Sequence, residues 1–295
     1  MSETTSLRAT MIGGSAVLMW GLLALLTTLT GEVPPFQLAA MAFSVATAMI
    51  AVKWLIAGDN VMAHLKQPAA AWILGVAGLF GYHFFYFMAL RNAPPVEAGL
   101  IAYTWPLLIV VFSALLPGER LRWWHVAGAL AGLAGTALLV TDGNGLTSFK
   151  AEFALGYGMA ACCALTWSVY SVTNRRFGDV PTDTVGGFCA ATAALAVICH
   201  LAFEETLWPA GLGQWLAVAG LGLLPVGAAF FAWDFGTKHG DIQVLGAFAY
   251  AAPLISTVLL IGFGQGEASW PVAAACALIV GGALLASKEM LAGRS

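Results

Sequence analysis

Charged side chains are scarce in this sequence. Asp, Glu, Lys and Arg together make up 9% of its 295 residues, whereas 60% are hydrophobic. So few charges cannot cover the water-facing surface of a globular protein of this size. The scarcity of charge excludes a soluble globule and indicates a chain that folds in a lipid bilayer.

Cysteine is also rare, and its five copies have no spacing typical of metal ligands. An odd number of cysteines, all within apolar stretches, indicates small packing residues rather than a disulfide framework. We therefore expect no disulfide, no metal and no cofactor. The five are Cys162, Cys163, Cys189, Cys199 and Cys276.

Catalytic signatures are missing at membrane depth. No Ser/His/Asp set, HExxH sequence or pair of acids is placed for catalysis, so an intramembrane enzyme is only a remote alternative. No Lys or Arg lies deep inside an apolar stretch, which argues against a pocket for phosphate groups. The net charge of −3 gives no reason to expect a nucleic-acid partner.

Ten apolar stretches are long enough to cross a bilayer, whose hydrocarbon core of roughly 30 Å takes about 20 helical residues. The connecting segments are short and carry Gly, Pro and charge, as in RNAPP at 91–95. No small-residue cleavage site marks the first stretch, so we interpret it as a retained helix. The predicted fold is an all-α polytopic membrane protein. Its spans lie near 10–30, 36–56, 70–91, 97–116, 123–140, 154–173, 183–203, 213–237, 242–262 and 270–287.

Basic residues accumulate on one side of the predicted bundle. Lys and Arg favour the cytoplasmic side of membrane proteins. If the N-terminus is cytoplasmic, only Arg91 and Lys150 fall outside, and the C-terminus is also cytoplasmic. The remaining basic residues lie inside: Arg8, Lys53, Lys66, Arg120, Arg122, Arg175, Arg176, Lys238, Lys288 and Arg294.

The second half of the chain repeats landmarks of the first at an offset of 147 residues, which predicts repeats over 1–147 and 148–295. Because each repeat holds five spans, an odd number, the second must be inverted in the membrane. Inverted repeats are typical of transporters, although duplication has also built membrane proteins that move nothing. The matching pairs are Trp20 with Trp167, Pro34 with Pro181, Arg91 with Lys238, Gly99 with Gly246, Tyr103 with Tyr250, Pro106 with Pro253, Trp123 with Trp270 and Gly135 with Gly282.

Several of these landmarks form a known pattern. Trp20-Gly21, the run Gly99…Tyr103-x-Trp105-Pro106 and Glu119 in PGERLR resemble the EamA-type drug/metabolite transporter superfamily. Within it, GYHFFYFMAL (81–90) and AYTWPLL (102–108) are similar to the YddG-type aromatic amino acid exporters. The resemblance implies a multi-pass transporter of the bacterial inner membrane that moves aromatic and related neutral amino acids outward. The second half departs from the pattern, with Ala252 in the place of Trp105.

The candidate substrate site is a ring-lined cavity near the middle of the membrane. Tyr103 and Tyr250 are expected to face each other there, because equivalent helices of two inverted repeats face each other across the pseudo-twofold axis. Irregular backbone near their prolines is tolerated beside such a cavity. Tyr103 and Trp105 have an alternative place in the interfacial aromatic belt. His83 is ionisable, and an ionisable side chain at this depth indicates a functional role by default. An equal alternative is a purely structural histidine that is hydrogen-bonded to a neighbouring tyrosine or carbonyl. The remaining candidates are Trp20, Tyr82, Tyr86, Trp167 and Phe248 for substrate, and Gly99, Pro106, Gly246 and Pro253 as hinges.

A mainly uncharged, aromatic cavity suits a substrate with an aromatic or apolar side chain. It can also hold an ammonium group through cation–π attraction of about 0.5–2 kcal/mol, which keeps a multidrug or lipophilic-cation exporter open as the alternative. Glu97 is predicted to cap a helix N-terminus and Asp234 to pair with Lys238. No carboxylate is then left for proton coupling, and although His83 stays open as a proton carrier, we predict facilitated, uniport-like alternating access. The glycine-rich stretches 128–140 and 280–286 permit dimerisation, but we expect them to pack within one chain and therefore predict a monomer.

Overall fold

The computed structural model describes residues 3–144, 149–264 and 267–291. The predicted repeat boundary at 147/148 and the predicted cytoplasmic Arg294 lie outside these residues. Within them the chain is helical and has no strand, as predicted. The α-helices are α1 (Glu3–Trp20), α2 (Leu23–Leu29), α3 (Pro35–Ala57), α4 (Val61–Leu65), α5 (Ala69–Asn92), α6 (Pro95–Ala102), α7 (Trp105–Ser113), α8 (Trp123–Thr141), α9 (Ala154–Asn174), α10 (Val185–Phe203), α11 (Leu212–Leu223), α12 (Ala229–His239), α13 (Ile242–Phe248), α14 (Ala251–Gly262), α15 (Trp270–Ala286) and α16 (Lys288–Leu291).

These helices form the ten predicted spans. In the part of the chain that the structure describes, nine spans are long and apolar enough to cross a membrane, and the tenth, α15, is shorter at 17 residues. Three spans are built from two helices each: α1 with α2, α6 with α7, and α13 with α14. The eighth span joins α11 to α12 through a π-helical turn, Leu224–Ala228. The first span begins earlier than predicted, because α1 already starts at Glu3.

The fourth and ninth spans, predicted as continuous at 97–116 and 242–262, are interrupted at equivalent places. The fourth breaks at Tyr103 and Thr104, and the ninth at Ala249 and Tyr250. Pro106 then lies in the first turn of α7, where a helix tolerates proline because the missing N–H has no partner to lose. Each proline therefore follows a break in its span rather than kinking a continuous helix.

The spans pack in pairs that follow one internal symmetry. The most extensive helix contacts join the fifth span to the tenth, the third to the sixth, the first to the eighth and the second to the seventh, and α7 with α13 joins the fourth to the ninth. Advancing every span by five converts each of these pairs into a pair of the same set. Two five-helix repeats around a pseudo-twofold axis have this arrangement.

Glycines let the fifth and tenth spans approach closely. A Cβ atom on Gly135 would lie 2.8 Å from Ile279 Cγ1, and Gly128 and Gly282 face each other across the same contact. Small residues allow such backbone contact between membrane helices. The glycine-rich stretches are therefore used for packing within one chain.

Candidate substrate site

Four tryptophans form one cluster in the centre of the bundle. Trp20 ends α1, Trp105 begins α7, and Trp167 and Trp233 lie within α9 and α12. Every pair is in contact, with ring centroids between 5.0 Å (Trp20–Trp233) and 6.4 Å (Trp167–Trp233). All four side chains are buried. Edge-to-face and tilted contacts at these distances are favourable for aromatic rings.

Irregular backbone surrounds this cluster. The first span is interrupted at Gly21 and Leu22, directly after Trp20. The indole N–H of Trp20 donates to the carbonyl of Pro225 at 3.0 Å, inside the π-helical turn of the eighth span. Because a π-turn and a proline both disturb the helical hydrogen-bond ladder, a side chain from another helix can take up a carbonyl there.

The four indole N–H groups differ in their hydrogen bonding. Trp20 is bonded to Pro225, and Trp233 donates to Ser171 Oγ at 3.0 Å. Among the described residues, hydrogen bonds hold the indole N–H groups of Trp20 and Trp233 but not those of Trp105 and Trp167. These two donors are therefore available to a ligand.

The third span adds a wall of partly exposed rings next to the cluster. Tyr82 contacts Trp167 at 5.4 Å between centroids and stacks on Tyr86 at 6.1 Å with an interplanar angle of 6°. His83 packs on Phe43 and Phe230. Tyr82 contacts the ring cluster directly and Tyr86 stacks on Tyr82. The side chains of Tyr82, His83 and Tyr86 all keep partial exposure.

His83 is held in place by its own helix. Its Nδ1 lies 2.7 Å from the carbonyl oxygen of Leu79 and donates to it. A histidine hydrogen-bonded to a neighbouring carbonyl is the alternative that the sequence left open. This hydrogen bond uses only one of the two ring nitrogens. Within the described part of the chain the second nitrogen, Nε2, has no polar partner. Because the neutral ring carries its proton on Nδ1, Nε2 has a lone pair that can accept a hydrogen bond from a ligand.

The two tyrosines that the sequence placed face to face have different surroundings in the structure. Tyr103 lies at the break of the fourth span, next to Trp105, and is partly exposed. Tyr250 is completely buried in a different cluster with Val110 and Ile279. There its hydroxyl accepts the N–H of Leu107, so its place is between helices and not in the ring wall.

The remaining sequence candidates, Phe248 and the four proposed hinge residues, differ in how closely they are packed. Phe248 packs against the large hydrophobic core that also contains the four tryptophans, and a Cβ on Gly14 of α1 would lie 3.5 Å from its ring. Gly246 lies where a Cβ would be 3.1 Å from the Pro106 carbonyl, which brings α13 against α7. Gly99 has only one neighbour at 4.0 Å, Val140, and is not closely packed. Pro253 is buried in the first turn of α14.

Comparison with known proteins agrees with this architecture. The EamA-like transporter family matches the chain twice, over residues 9–141 and 154–288. The chain belongs to this family. It is 55% identical over 279 residues to a protein of Ancylobacter novellus named aromatic amino acid exporter YddG, covering 95% of this chain and 96% of that protein. A protein of the same name from Salmonella typhimurium is 26% identical over 86% of this chain and 88% of its own. A crystal structure of a protein 54% identical to this one superposes with a TM-score of 0.90, covering 98% of this chain and 99% of that one.

In this EamA-like transporter, sequence reasoning missed Trp233, a member of the ring cluster, and Phe230, which packs against Trp20 and Trp167 of that cluster. They lie 147 residues after His83 and Tyr86, the offset of the internal repeat. The repeat therefore carried a signal for them, but it is hidden because the paired residues differ in type. The matched landmarks were identical residues or residues of like charge, and His83/Phe230 and Tyr86/Trp233 are neither.

The predicted ion pair between Asp234 and Lys238 is confirmed, at 2.9 Å, but it is far more buried than expected. Both side chains are shielded from solvent, at 0% and 2% exposure. Asn174 and Thr182 also donate to the Asp234 carboxylate, and Lys238 donates to the Val180 carbonyl. The desolvation cost of burying both charges is compensated only because hydrogen bonds satisfy the remaining polar atoms.

One group of potential metal ligands lies at the end of the bundle that carries Lys53. Asp59, His64 and Asp183 bring their ligand atoms within 4.8 Å of one another. Asp183, however, already accepts two hydrogen bonds from Lys53, at 2.6 and 2.7 Å. A lysine bonded to this carboxylate occupies the place of a cation, so these residues fit an ion-pair network better than a metal site.

Proposed function

We propose that the protein exports aromatic and related neutral amino acids from the cytoplasm, with the ring cluster and its wall as the substrate site. The observation that carries this proposal is the contact of four tryptophans beside the partly exposed Tyr82, His83, Tyr86 and Tyr103. The name of the Ancylobacter novellus relative supports the same class of substrate.

The chemistry of the site fits a zwitterion with a flat side chain. A substrate ring gains edge-to-face and stacking contacts with Trp105, Trp167 and Tyr82. Its carboxylate can accept the free indole N–H groups of Trp105 and Trp167. Its ammonium group can meet tyrosine hydroxyls, ring faces and the Ala102 carbonyl, whose usual helical donor is missing because residue 106 is proline.

Transport is proposed to follow alternating access between repeats 1–147 and 148–295. The paired breaks in the fourth and ninth spans support this division, as do the two family matches. Substrate sites of inverted-repeat transporters lie beside interrupted helices of this kind. Gly99, Pro106, Gly246 and Pro253, at these two spans, are the proposed hinges.

The proposed setting is the bacterial inner membrane, with both termini cytoplasmic and a monomer as the working unit. The uneven distribution of Lys and Arg supports this orientation. Asp234, the acid that directly follows Trp233 in the chain, is paired with Lys238. Facilitated export down the substrate gradient therefore fits the described residues better than obligatory proton exchange.

Flux of radiolabelled tryptophan in proteoliposomes tests the proposal. We expect uptake above that of empty liposomes, inhibition by unlabelled phenylalanine, and no dependence on an imposed pH gradient. A lipophilic cation, tetraphenylphosphonium, tests the alternative in the same vesicles. Absence of tryptophan flux together with strong cation flux would replace the amino acid exporter by a multidrug exporter.

A further inference from the structure

Two exposed basic side chains from distant parts of the chain meet on one indole ring. Arg122 directly precedes α8, and Lys288 begins α16 just after the end of α15. The guanidinium carbon of Arg122 lies 5.6 Å from the centroid of the Trp124 ring, and Lys288 Nζ lies 3.8 Å from it. Because both distances start from the same ring, the two charges are closer together than roughly 10 Å, the Debye length at 0.1 M salt, and they repel each other.

These two cations have no acidic partner, unlike other basic residues at the same end of the bundle. Three of the others pair with a carboxylate: Lys53 with Asp183, Arg175 with Glu119 and Lys238 with Asp234. In the part of the chain that the structure describes, neither Arg122 nor Lys288 forms an ion pair, although Glu289 is the next residue in the chain. An anion from outside the chain can therefore take the place that a carboxylate takes in the other pairs.

The internal repeat shows what is specific to this end of the α8–α15 pair. Trp123 and Trp270 occupy equivalent positions at the starts of α8 and α15, and each is 67% exposed. An indole thus lies at both membrane surfaces, where indoles are favoured. The charges differ, because the three positions equivalent to the basic residues Arg120, Arg122 and Lys288 hold Glu267, Ser269 and Thr141. Only one end of the helix pair is therefore cationic.

Apolar surface continues from the two cations toward the middle of the membrane. Leu130 lies seven residues after Trp123, on the same face of α8 and about 10 Å deeper at 1.5 Å per residue. Leu284 lies four residues before Lys288. The two leucines are 49% and 57% exposed, as expected for side chains that face lipid. Positive charge at head-group depth above an apolar surface matches an anionic lipid better than a free anion.

We propose that this basic surface, formed by Arg122, Trp124 and Lys288, binds one anionic glycerophospholipid. The lipid belongs to the leaflet at this end of the bundle, which is the cytoplasmic leaflet in the proposed orientation. Its phosphate lies between the two side chains and accepts charge-assisted hydrogen bonds of about 2.7–2.9 Å from both. Basic sites between membrane helices bind anionic head groups in this way. The lipid bridges the ends of the fifth and tenth spans, and its binding does not depend on the proposed transport activity.

Native mass spectrometry of the detergent-purified full chain tests the basic surface. Phosphatidylglycerol and phosphatidylethanolamine with identical acyl chains are titrated in turn. We expect one saturable phosphatidylglycerol, bound about ten-fold more tightly than phosphatidylethanolamine, whose own ammonium group competes for the phosphate. The double variant Arg122→Gln with Lys288→Gln should lose this preference. A preference equal to that of wild type in the double variant would overturn the proposal.

A second double variant separates a specific site from general attraction of anions to a basic surface. Lys66 and Arg176 are exposed at the same end of the bundle, so Lys66→Gln with Arg176→Gln removes the same amount of charge. This control should keep the preference for phosphatidylglycerol, and circular dichroism melts confirm that both variants are folded. An equal loss of preference in the two double variants would refute a specific site. Displacement of the lipid by millimolar inorganic phosphate would instead assign the site to free anions and refute a lipid site.

Discussion

The hydroxyl oxygen of Tyr250 accepts a hydrogen bond from the backbone N–H of Leu107 at 3.2 Å. In a continuous helix that N–H would reach the carbonyl of Tyr103, but the fourth span is broken there. A side chain at the break of the ninth span thus stabilises the backbone beyond the break of the fourth. The two interruptions support each other across the pseudo-twofold axis.

Tyr250→Phe removes this acceptor and leaves a buried N–H without a partner. We expect a loss of about 1–2 kcal/mol in stability, measured by thermal unfolding in detergent. Tyr157→Phe is the matched control, because the Tyr157 hydroxyl has no hydrogen-bond partner among the described residues. Equal melting of the two variants would show that the Leu107 bond contributes nothing.

Trp105→Ala and Trp167→Ala each remove an indole from the proposed substrate site. Each ring contacts the other three tryptophans, so we expect tryptophan flux to fall at least about ten-fold, with normal membrane insertion. Trp270→Ala, at a residue that is 67% exposed, should transport like wild type. Normal flux through both site variants would remove the ring cluster as the substrate site.

His83→Ala removes a side chain that packs edge-on against Phe43 and Phe230 and presents a free ring nitrogen. We expect weaker substrate binding, seen as a higher half-saturating tryptophan concentration. Flux should stay independent of a pH gradient in both proteins. A gradient dependence in wild type that disappears in the variant would instead assign proton coupling to His83.

Pro106→Ala restores a backbone N–H after the break of the fourth span. The helix can then continue through Tyr103 and Thr104, which makes the proposed hinge stiffer. We expect exchange of labelled for unlabelled tryptophan to slow several-fold, with little change in substrate affinity. An exchange rate equal to that of wild type would exclude Pro106 as a hinge.

Asp234→Asn leaves Lys238 charged and buried without its partner. Breaking such a pair costs about 3–5 kcal/mol, whereas removing both charges is far less costly. We therefore expect Asp234→Asn to melt much earlier than wild type and the double variant with Lys238→Met to recover most of the loss. Lys53→Met is the control, because Lys53 is 56% exposed and its pair with Asp183 is worth at most about 1 kcal/mol.

The sequence alone determined the number and class of the spans, the repeat and the residue types of the site. These follow from local physics: a bilayer requires apolar helices of about 20 residues, and a duplicated fold preserves rare landmarks such as Trp20 and Trp167. The choice of His83 and Tyr82 as ring-wall residues also came from their depth within one span.

Only the tertiary structure decided which way each ring points. Tyr103 and Tyr250 are equivalent by sequence, yet one borders the ring wall and the other is enclosed beside Ile279. Trp233 belongs to the tryptophan cluster, whereas the side chain of the next residue, Asp234, lies in a buried polar network. Rotation and tilt of a membrane helix are set by packing against its neighbours, and a sequence pattern does not contain those neighbours.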